Sequence, residues 1–250
     1  MTNIFDFCLD GKTALITGGA SGIGEAIAEA FDQKGVKIAI VDLNLDAATD
    51  KAKSLNNAQA YACNVADTEN VGIMTQQVMQ DFGHIDILVN CAGIVDLAPA
   101  ETLSLNAWQR TIDINLTGSF LVCQAIGRHM IEAKSGKIIN LASQAGRVAI
   151  EEHIAYCASK FAIIGMTKTL ALEWGKYGIT ANSISPTVVM TELGKKAWDG
   201  EKAANMKALI PVGRFAEPDE IAAAAVFLAS SSADMINGTD LLIDGGFTTK

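Results

Sequence analysis

Seven short runs rich in β-branched residues recur along the chain, at residues 13–17, 37–41, 60–63, 85–89, 137–141, 180–184 and 240–243. Runs of this kind read as buried parallel strands. Between them lie longer apolar-periodic segments rich in Ala, Leu, Ile, Glu and Lys, at 22–34, 45–55, 68–82, 104–134, 155–176 and 218–229, which read as crossover helices. Seven strands alternating with six helices predict an α/β fold: a right-handed, doubly wound parallel sheet covered on both faces. No Pro/Ser-rich linker or internal repeat interrupts the 250 residues, so 1–250 is expected to be a single domain, with its site at the carboxyl ends of the strands. Residues 185–217 break the rhythm with helical stretches and no strand. An insertion of this size is expected to serve as a substrate lid, the alternative being a plain surface hairpin.

Charge and cysteine usage narrow the function classes. The net charge of −9 lacks the basic footprint that a nucleic-acid backbone or an anionic lipid surface requires. Half of the residues are hydrophobic, and at this length roughly 70–75% of the unfolded surface is buried on folding, so the core needs neither disulfides nor a structural metal. Five cysteines, widely spaced, form no CxxC pair and have no histidine at metal-ligand spacing, so they read as free thiols with no metal site. Residues 1–10 carry no cationic stretch followed by an apolar run, and no run approaches the ~18 apolar residues of a membrane span. The expectation is a cytoplasmic chain with no membrane partner.

The strand at 13–17 runs into Thr17-Gly18-Gly19-Ala20-Ser21-Gly22-Ile23-Gly24, and a helical segment follows. Glycines permit close approach and unusual torsions, while the helix start offers unpaired N–H groups and a positive dipole end to a pyrophosphate. Strand, loop and helix in this order predict a dinucleotide loop using Gly18, Ser21, Gly22, Ile23 and Gly24. Asp42 ends the second strand. A carboxylate there accepts hydrogen bonds from both adenosine ribose hydroxyls and repels a 2′-phosphate, and neither Ala20, Ser21 nor Leu43 supplies a cation; the reading is NAD rather than NADP.

In Tyr156-Cys157-Ala158-Ser159-Lys160 the tyrosine and lysine share one helix face. A phenol with a pKa near 10 is a poor base at neutral pH. A cation about 5 Å away, at an effective dielectric near 20, favours the phenolate by about 3 kcal/mol. The pair is therefore expected to bring the phenol into working range.

Taken with Asn90-Cys91-Ala92-Gly93, Asp113-Ile114-Asn115-Leu116-Thr117-Gly118, Ser143 and the ending Asp244-Gly245-Gly246, these motifs resemble the short-chain dehydrogenase/reductases over essentially the whole chain. The resemblance implies a single Rossmann-type domain and an oxidoreductase. It implies Tyr156 as general acid/base, Lys160 as the group that lowers its pKa and binds the nicotinamide ribose, Ser143 as the hydroxyl that orients the substrate oxygen, and Asn115 as holder of a relay water. Asn90, Ala92 and Gly93 would line the adenosine side and Asn64-Val65 would meet the adenine, with Asn64 standing where Asp is usual. Pro186-Thr187-Val188-Val189-Met190-Thr191 replaces a common Pro-Gly pair; Pro186, Val189 and Thr191 would bind carboxamide and phosphate.

That string, with Gly194, Trp198 and His153, resembles the L-xylulose reductase and sugar-alcohol dehydrogenase branch. It implies a small polyol or ketose as substrate, met by Ser143, Gln144, His153, Tyr156 and Trp198, and a homotetramer built on the helices at 104–134 and 155–176 and the last strand. With Asp42, the expected reaction is NAD-dependent oxidation of a secondary alcohol of a polyol to the ketose. Two alternatives are a 3-oxoacyl thioester reductase, which shares the catalytic set but calls for a basic docking rim, and a catalytically idle NAD sensor, which would be expected to have lost Tyr156, Lys160 or Ser143.

Overall fold

All seven runs become strands of one parallel sheet in the computed structural model, which describes residues 7–249 apart from the Leu193 side chain. Residues 1–6, part of the stretch read above as lacking a leader, lie outside the described residues. The strands are β1 (Thr13–Thr17), β2 (Lys37–Asp42), β3 (Ala58–Ala62), β4 (Ile87–Asn90), β5 (Gly136–Leu141), β6 (Ile179–Pro186) and β7 (Asp240–Ile243), ordered β3-β2-β1-β4-β5-β6-β7. After β3 the chain crosses back over β1 to build β4 on its other side. The carboxyl ends of β1 and β4 therefore diverge into a crevice, and their register pairs Thr17 with Asn90, the residues that open the two glycine-bearing loops.

Strand side chains alternate between two cores. Ile16, Ile38, Ile40 and Val89 face a layer made by α1 (Gly22–Asp32) and α9 (Pro218–Ala229). Leu15, Val41 and Leu88 face α3 (Thr68–Phe82), α5 (Ser119–Ala133) and α6 (Ile154–Trp174). Several helices start on side-chain caps. Asn44 caps α2 (Leu45–Ser54) through Ala47 N at 3.1 Å, Asp67 caps α3, and Ser104 caps α4 (Leu105–Ile112) through Ala107 N at 3.1 Å. Helix α1 differs, because Ser21 at its cap position makes no side-chain cap bond and the first-turn N–H groups face the crevice without that partner.

The segment expected as one helix over 104–134 is α4 and α5 separated by a π-helical turn, Asp113–Gly118. Widening the turn lets Asn115 turn its amide onto the main chain of Ile94, accepting from Ile94 N at 2.8 Å and donating to Ile94 O at 2.9 Å. The segment at 185–217 holds two further helices, α7 (Glu192–Ala197) and α8 (Gly200–Leu209), resting on Ala203, Ile210 and Phe215. No helix among the described residues is long and apolar enough to cross a membrane.

Polar groups also cross the core beside the crevice. Asn90 Nδ2 donates to Asn140 Oδ1 (2.9 Å) and to Cys123 Sγ (3.1 Å), and Asn140 Nδ2 donates to Thr167 Oγ1 (2.9 Å). This chain ties β4 to β5 and α6 where water has no access. Asn140→Ala removes an acceptor from Asn90 and a donor from Thr167, so unfolding in urea should show a loss of about 1–3 kcal/mol; an unchanged midpoint would refute the linkage.

Candidate active site

The crevice is shaped by backbones in contact. Gly18, at φ 63°, lies so close to the β4 loop that a Cβ there would meet Ala92 at 2.9 Å, and a Cβ on Gly24 would lie 2.1 Å from Gly18 O. Only glycine allows the loop to fold back on its own helix in this way. Gly22, at φ 59°, faces the Thr191 methyl, so the start of α1 abuts the segment that follows β6. At the loop's edge Asp42 Oδ2 accepts from Ala20 N at 3.4 Å and Oδ1 from Asn44 N at 3.1 Å, and the side chain stays partly exposed. A glycine cradle, uncapped helix N–H groups and an adjacent carboxylate fit a dinucleotide: pyrophosphate at Ser21, Gly22 and Ile23, ribose hydroxyls at Asp42.

The other residues expected at the cofactor divide into two kinds. Asn64, exposed, accepts from Ala66 N (3.1 Å) and stands at the end of β3, while Val65 is buried against Gly118. Asn90 offers its main chain to the crevice edge, but its side chain belongs to the buried Asn140 network, a structural use that spacing does not disclose. Ala92 N lies 3.3 Å from Thr17 Oγ1, and Gly93 fills the space between Asn115 and Lys160. Pro186 ends β6, Val189 bridges to Ala216, and Thr191 Oγ1 accepts from Gly194 N at 3.1 Å, capping α7.

Ser143, Tyr156, Lys160 and Asn115 converge beyond the ends of β4 and β5. Ser143 starts the 3₁₀ turn Gln144–Gly146, where its Oγ accepts from Ala145 N at 3.1 Å, and it stands near enough to the Tyr156 phenol to lower its pKa. Lys160 Nζ is buried 5.5 Å from the centre of the Tyr156 ring and donates to Leu141 O at 2.6 Å. Asn115 Nδ2 also reaches Ser159 Oγ (3.2 Å), which donates to Tyr156 O (2.7 Å). Asn115 thus ties the π turn both to the loop after β4 and to α6, a role that the motif spacing does not reveal.

The electrostatics correct one expectation. Burial pushes the Tyr156 phenol above its ordinary value, outweighing the lowering from its Ser143 contact, and burial pulls the Lys160 ammonium down to about 8. The cation does not by itself bring the phenol into the neutral range, because desolvation acts against both charged forms at once. Ser143 is the group that favours the phenolate.

Of the residues expected at the substrate, Gln144 is buried beside Ser143 with its Oε1 unpartnered. His153 sets its ring edge-on to Tyr156 at 6.1 Å, with Nδ1 2.6 Å from Glu151 O. That contact makes Nδ1 the N–H donor in the neutral ring and leaves Nε2 as an acceptor. Trp198 packs on Phe215 at 5.7 Å with Lys202 over its face, inside the apolar cluster under α8. Its ring serves the packing of the inserted segment.

Residues 18–248 match the family described as enoyl-(acyl carrier protein) reductase. The chain is 58% identical over 250 residues to D-threitol dehydrogenase of Mycolicibacterium smegmatis, covering 98% of this chain and 96% of that one. It is 48% identical over 247 residues to NAD-dependent glycerol dehydrogenase of Listeria innocua, covering 98% and 97%. Among solved structures, a gluconate 5-dehydrogenase from Burkholderia cenocepacia in complex with NADP and tartrate superposes with a TM-score of 0.94 at 36% identity, covering 99% of each chain. The chain belongs to the short-chain dehydrogenase/reductase family, and it is an oxidoreductase.

The turn that presents His153 is strained. Glu152 adopts φ 62°, and its carbonyl accepts from Ala98 N at 3.1 Å, tethering the turn to the loop after β4. An L side chain in this region costs about 1–2 kcal/mol. Glu152→Gly should therefore raise stability by up to about 1 kcal/mol, read as a higher Tm; a lower Tm would show that the Glu152 side chain contributes more than its torsion costs.

Proposed function

We propose that the protein oxidises a secondary alcohol of a small uncharged polyol to the ketose, with NAD as hydride acceptor. The observation that carries this reading is the Ser143 and Tyr156 pair beside buried Lys160, whose Nζ lies 5.5 Å from the Tyr156 ring, placed where the dinucleotide crevice opens. The bound dinucleotide supplies the ring that accepts hydride from the carbinol carbon. Ser143 Oγ and the Tyr156 phenolate hold the substrate hydroxyl, and the phenolate removes its proton. Lys160 keeps a positive charge next to the phenol and reaches the nicotinamide ribose. A Cβ on Gly93 would sit 3.2 Å from Asn115 Oδ1 and 3.8 Å from Lys160 Nζ, so the glycine lets the loop after β4 approach both groups.

NAD is favoured over NADP by Asp42, whose carboxylate lies against the glycine loop where a 2′-phosphate would stand, and by the exposed, apolar Leu43 beside it. A polyol is favoured by the relatives' names and by two polar side chains beside Ser143 and Tyr156, Gln144 and His153. Glu151 and Glu152 flank His153, an acidic rim that disfavours a sugar acid. A thioester on an acidic carrier meets a net charge of −9, and an idle sensor would not keep the complete Ser143, Tyr156 and Lys160 set. The segment with α7 and α8 acts as the lid, hinged where Val189 pairs with Ala216. Leu105, Phe120, Phe161 and Leu172 leave apolar surface on α4, α5 and α6, which supports a homotetramer, and the thiols of Cys63, Cys91, Cys123 and Cys157 support the cytoplasm.

NADH absorbance followed with threitol, xylitol, sorbitol, galactitol, glycerol, simple diols and acetoacetyl thioesters tests the reading. Turnover of polyols is expected, and turnover of thioesters alone would overturn it. Because a raised phenol must lose its proton to act as base, polyol oxidation should rise with pH and ketose reduction should fall. Tyr156→Phe should cut kcat by roughly 10²–10⁴-fold while NADH binding persists. Asp42→Ala should narrow the preference for NAD, and an unchanged NAD:NADP ratio would remove Asp42 from the ribose site.

A further inference from the structure

Arg147 directly follows the Gln144–Gly146 turn that Ser143 begins, and its Nε donates to Asp240 Oδ2 at 2.6 Å. The Asp240 side chain is wholly buried, while that of Arg147 is 39% exposed. The other carboxylate oxygen accepts from both Ser183 Oγ and Ser185 Oγ at 2.7 Å. Three donors therefore hold one carboxylate at the first residue of β7, beside β6, and one of them is the end of the catalytic turn. On its opposite side the turn is wedged against α6: a Cβ on Gly146 would lie 2.8 Å from Lys160 O. The turn is thus gripped between the Lys160 main chain and the sheet edge, and the part gripped carries the hydroxyl that meets Tyr156.

We propose that Arg147 and Asp240 are positioning residues for the Ser143–Tyr156 pair, their ion pair fixing the turn from which the Ser143 hydroxyl reaches the phenol. The inference rests on the reading of Ser143 and Tyr156 as the reacting pair. Neither residue touches substrate; they act through the turn. Burying a carboxylate is costly unless it is paired and hydrogen-bonded, and a fully satisfied buried network holds its members to one geometry. Removing the arginine frees the turn from the sheet edge and leaves it held by its packing on α6 and its own bonds. The groups that face the Tyr156 phenol are Ser143 from the turn, Cys91 from the loop after β4, and Cys157, Lys160 and the His153 ring from its own helix. Of these, the Ser143 contact is the one that favours the ionised phenol, so displacing the turn makes the phenolate harder to form.

The test compares Arg147→Gln, Arg147→Lys and Asp240→Asn with the wild-type enzyme. The chain has three tyrosines, so the near-ultraviolet phenolate signal of Tyr156 is obtained by subtracting the titration of Tyr156→Phe. Arg147→Gln should move that titration to higher pH and lower kcat for polyol oxidation by about 10- to 100-fold, the size expected when a reacting group is misplaced by about 1 Å. NADH affinity should stay unchanged. Arg147→Lys should restore a large part of both, and combining Arg147→Gln with Asp240→Asn should be no worse than either alone. If Asp240→Asn does not fold, the half-exposed Arg147 variants carry the test by themselves. A Tyr156 titration at the wild-type pH in Arg147→Gln, with or without a lower Tm, would overturn the proposal. The absorbance titration needs no substrate, so failure of every polyol would refute the proposed reaction and leave this measurement to decide the positioning role separately.

Discussion

The catalytic edge depends on keeping one ammonium out of water. Lys160 Nζ is almost fully buried, and its direct partner is a neutral acceptor, Leu141 O at 2.6 Å, where a buried charge would ordinarily demand a carboxylate. Burial draws its pKa down to about 8. A carboxylate in its place would hold the proton firmly and quench the cation's influence on the phenol. The carbonyl leaves that influence available. The same burial raises the Tyr156 phenol, so the two residues are set by one low-dielectric environment pulling them in opposite senses.

Part of the fold's unsatisfied polarity lies at this edge. Among the described residues, the buried side-chain atoms with no hydrogen-bond partner include Asn90 Oδ1, Gln144 Oε1 and Thr187 Oγ1, which follow or end β4, β5 and β6. Each such atom costs about 1–3 kcal/mol, which a protein keeps only where something repays it. Thr75 Oγ1 and Thr180 Oγ1 are also unpartnered, whereas Asn140 bonds both Asn90 and Thr167, and Asp240 has three donors. Satisfied networks thus hold rigid the strands after which Gln144 Oε1 and Thr187 Oγ1 stand unpartnered.

Much of this was legible in the sequence, for identifiable reasons. Strands β1 and β7 fall on their expected bounds because glycine turns mark their ends, Gly18 after the first and Gly245 after the second. The strand expected at 85–89 begins at Ile87, because the Asp86 side chain accepts from Thr13 N and Thr13 Oγ1 and caps the sheet instead of extending it. The glycine loop, Asp42, Ser143, Tyr156 and Lys160 stand out in the sequence because each combines a residue type with a place in the strand–helix order. The π turn does not. One widened turn shifts the apolar period too little to show within a long amphipathic segment, although it is what lets Asn115 clasp Ile94.

What sequence could not give was the balance of environments. Spacing placed a cation near a phenol and suggested that Coulomb attraction would dominate. The structure shows desolvation winning, because both groups are enclosed between the Gln144–Gly146 turn, the π turn and α6. Burial is a property of pieces far apart in the chain: Gly146 on the Lys160 backbone, Ile94 held by Asn115, Ser159 on the Tyr156 carbonyl. The reactivity of the tyrosine is therefore set less by its neighbour four residues along than by how tightly the surrounding turns close over both.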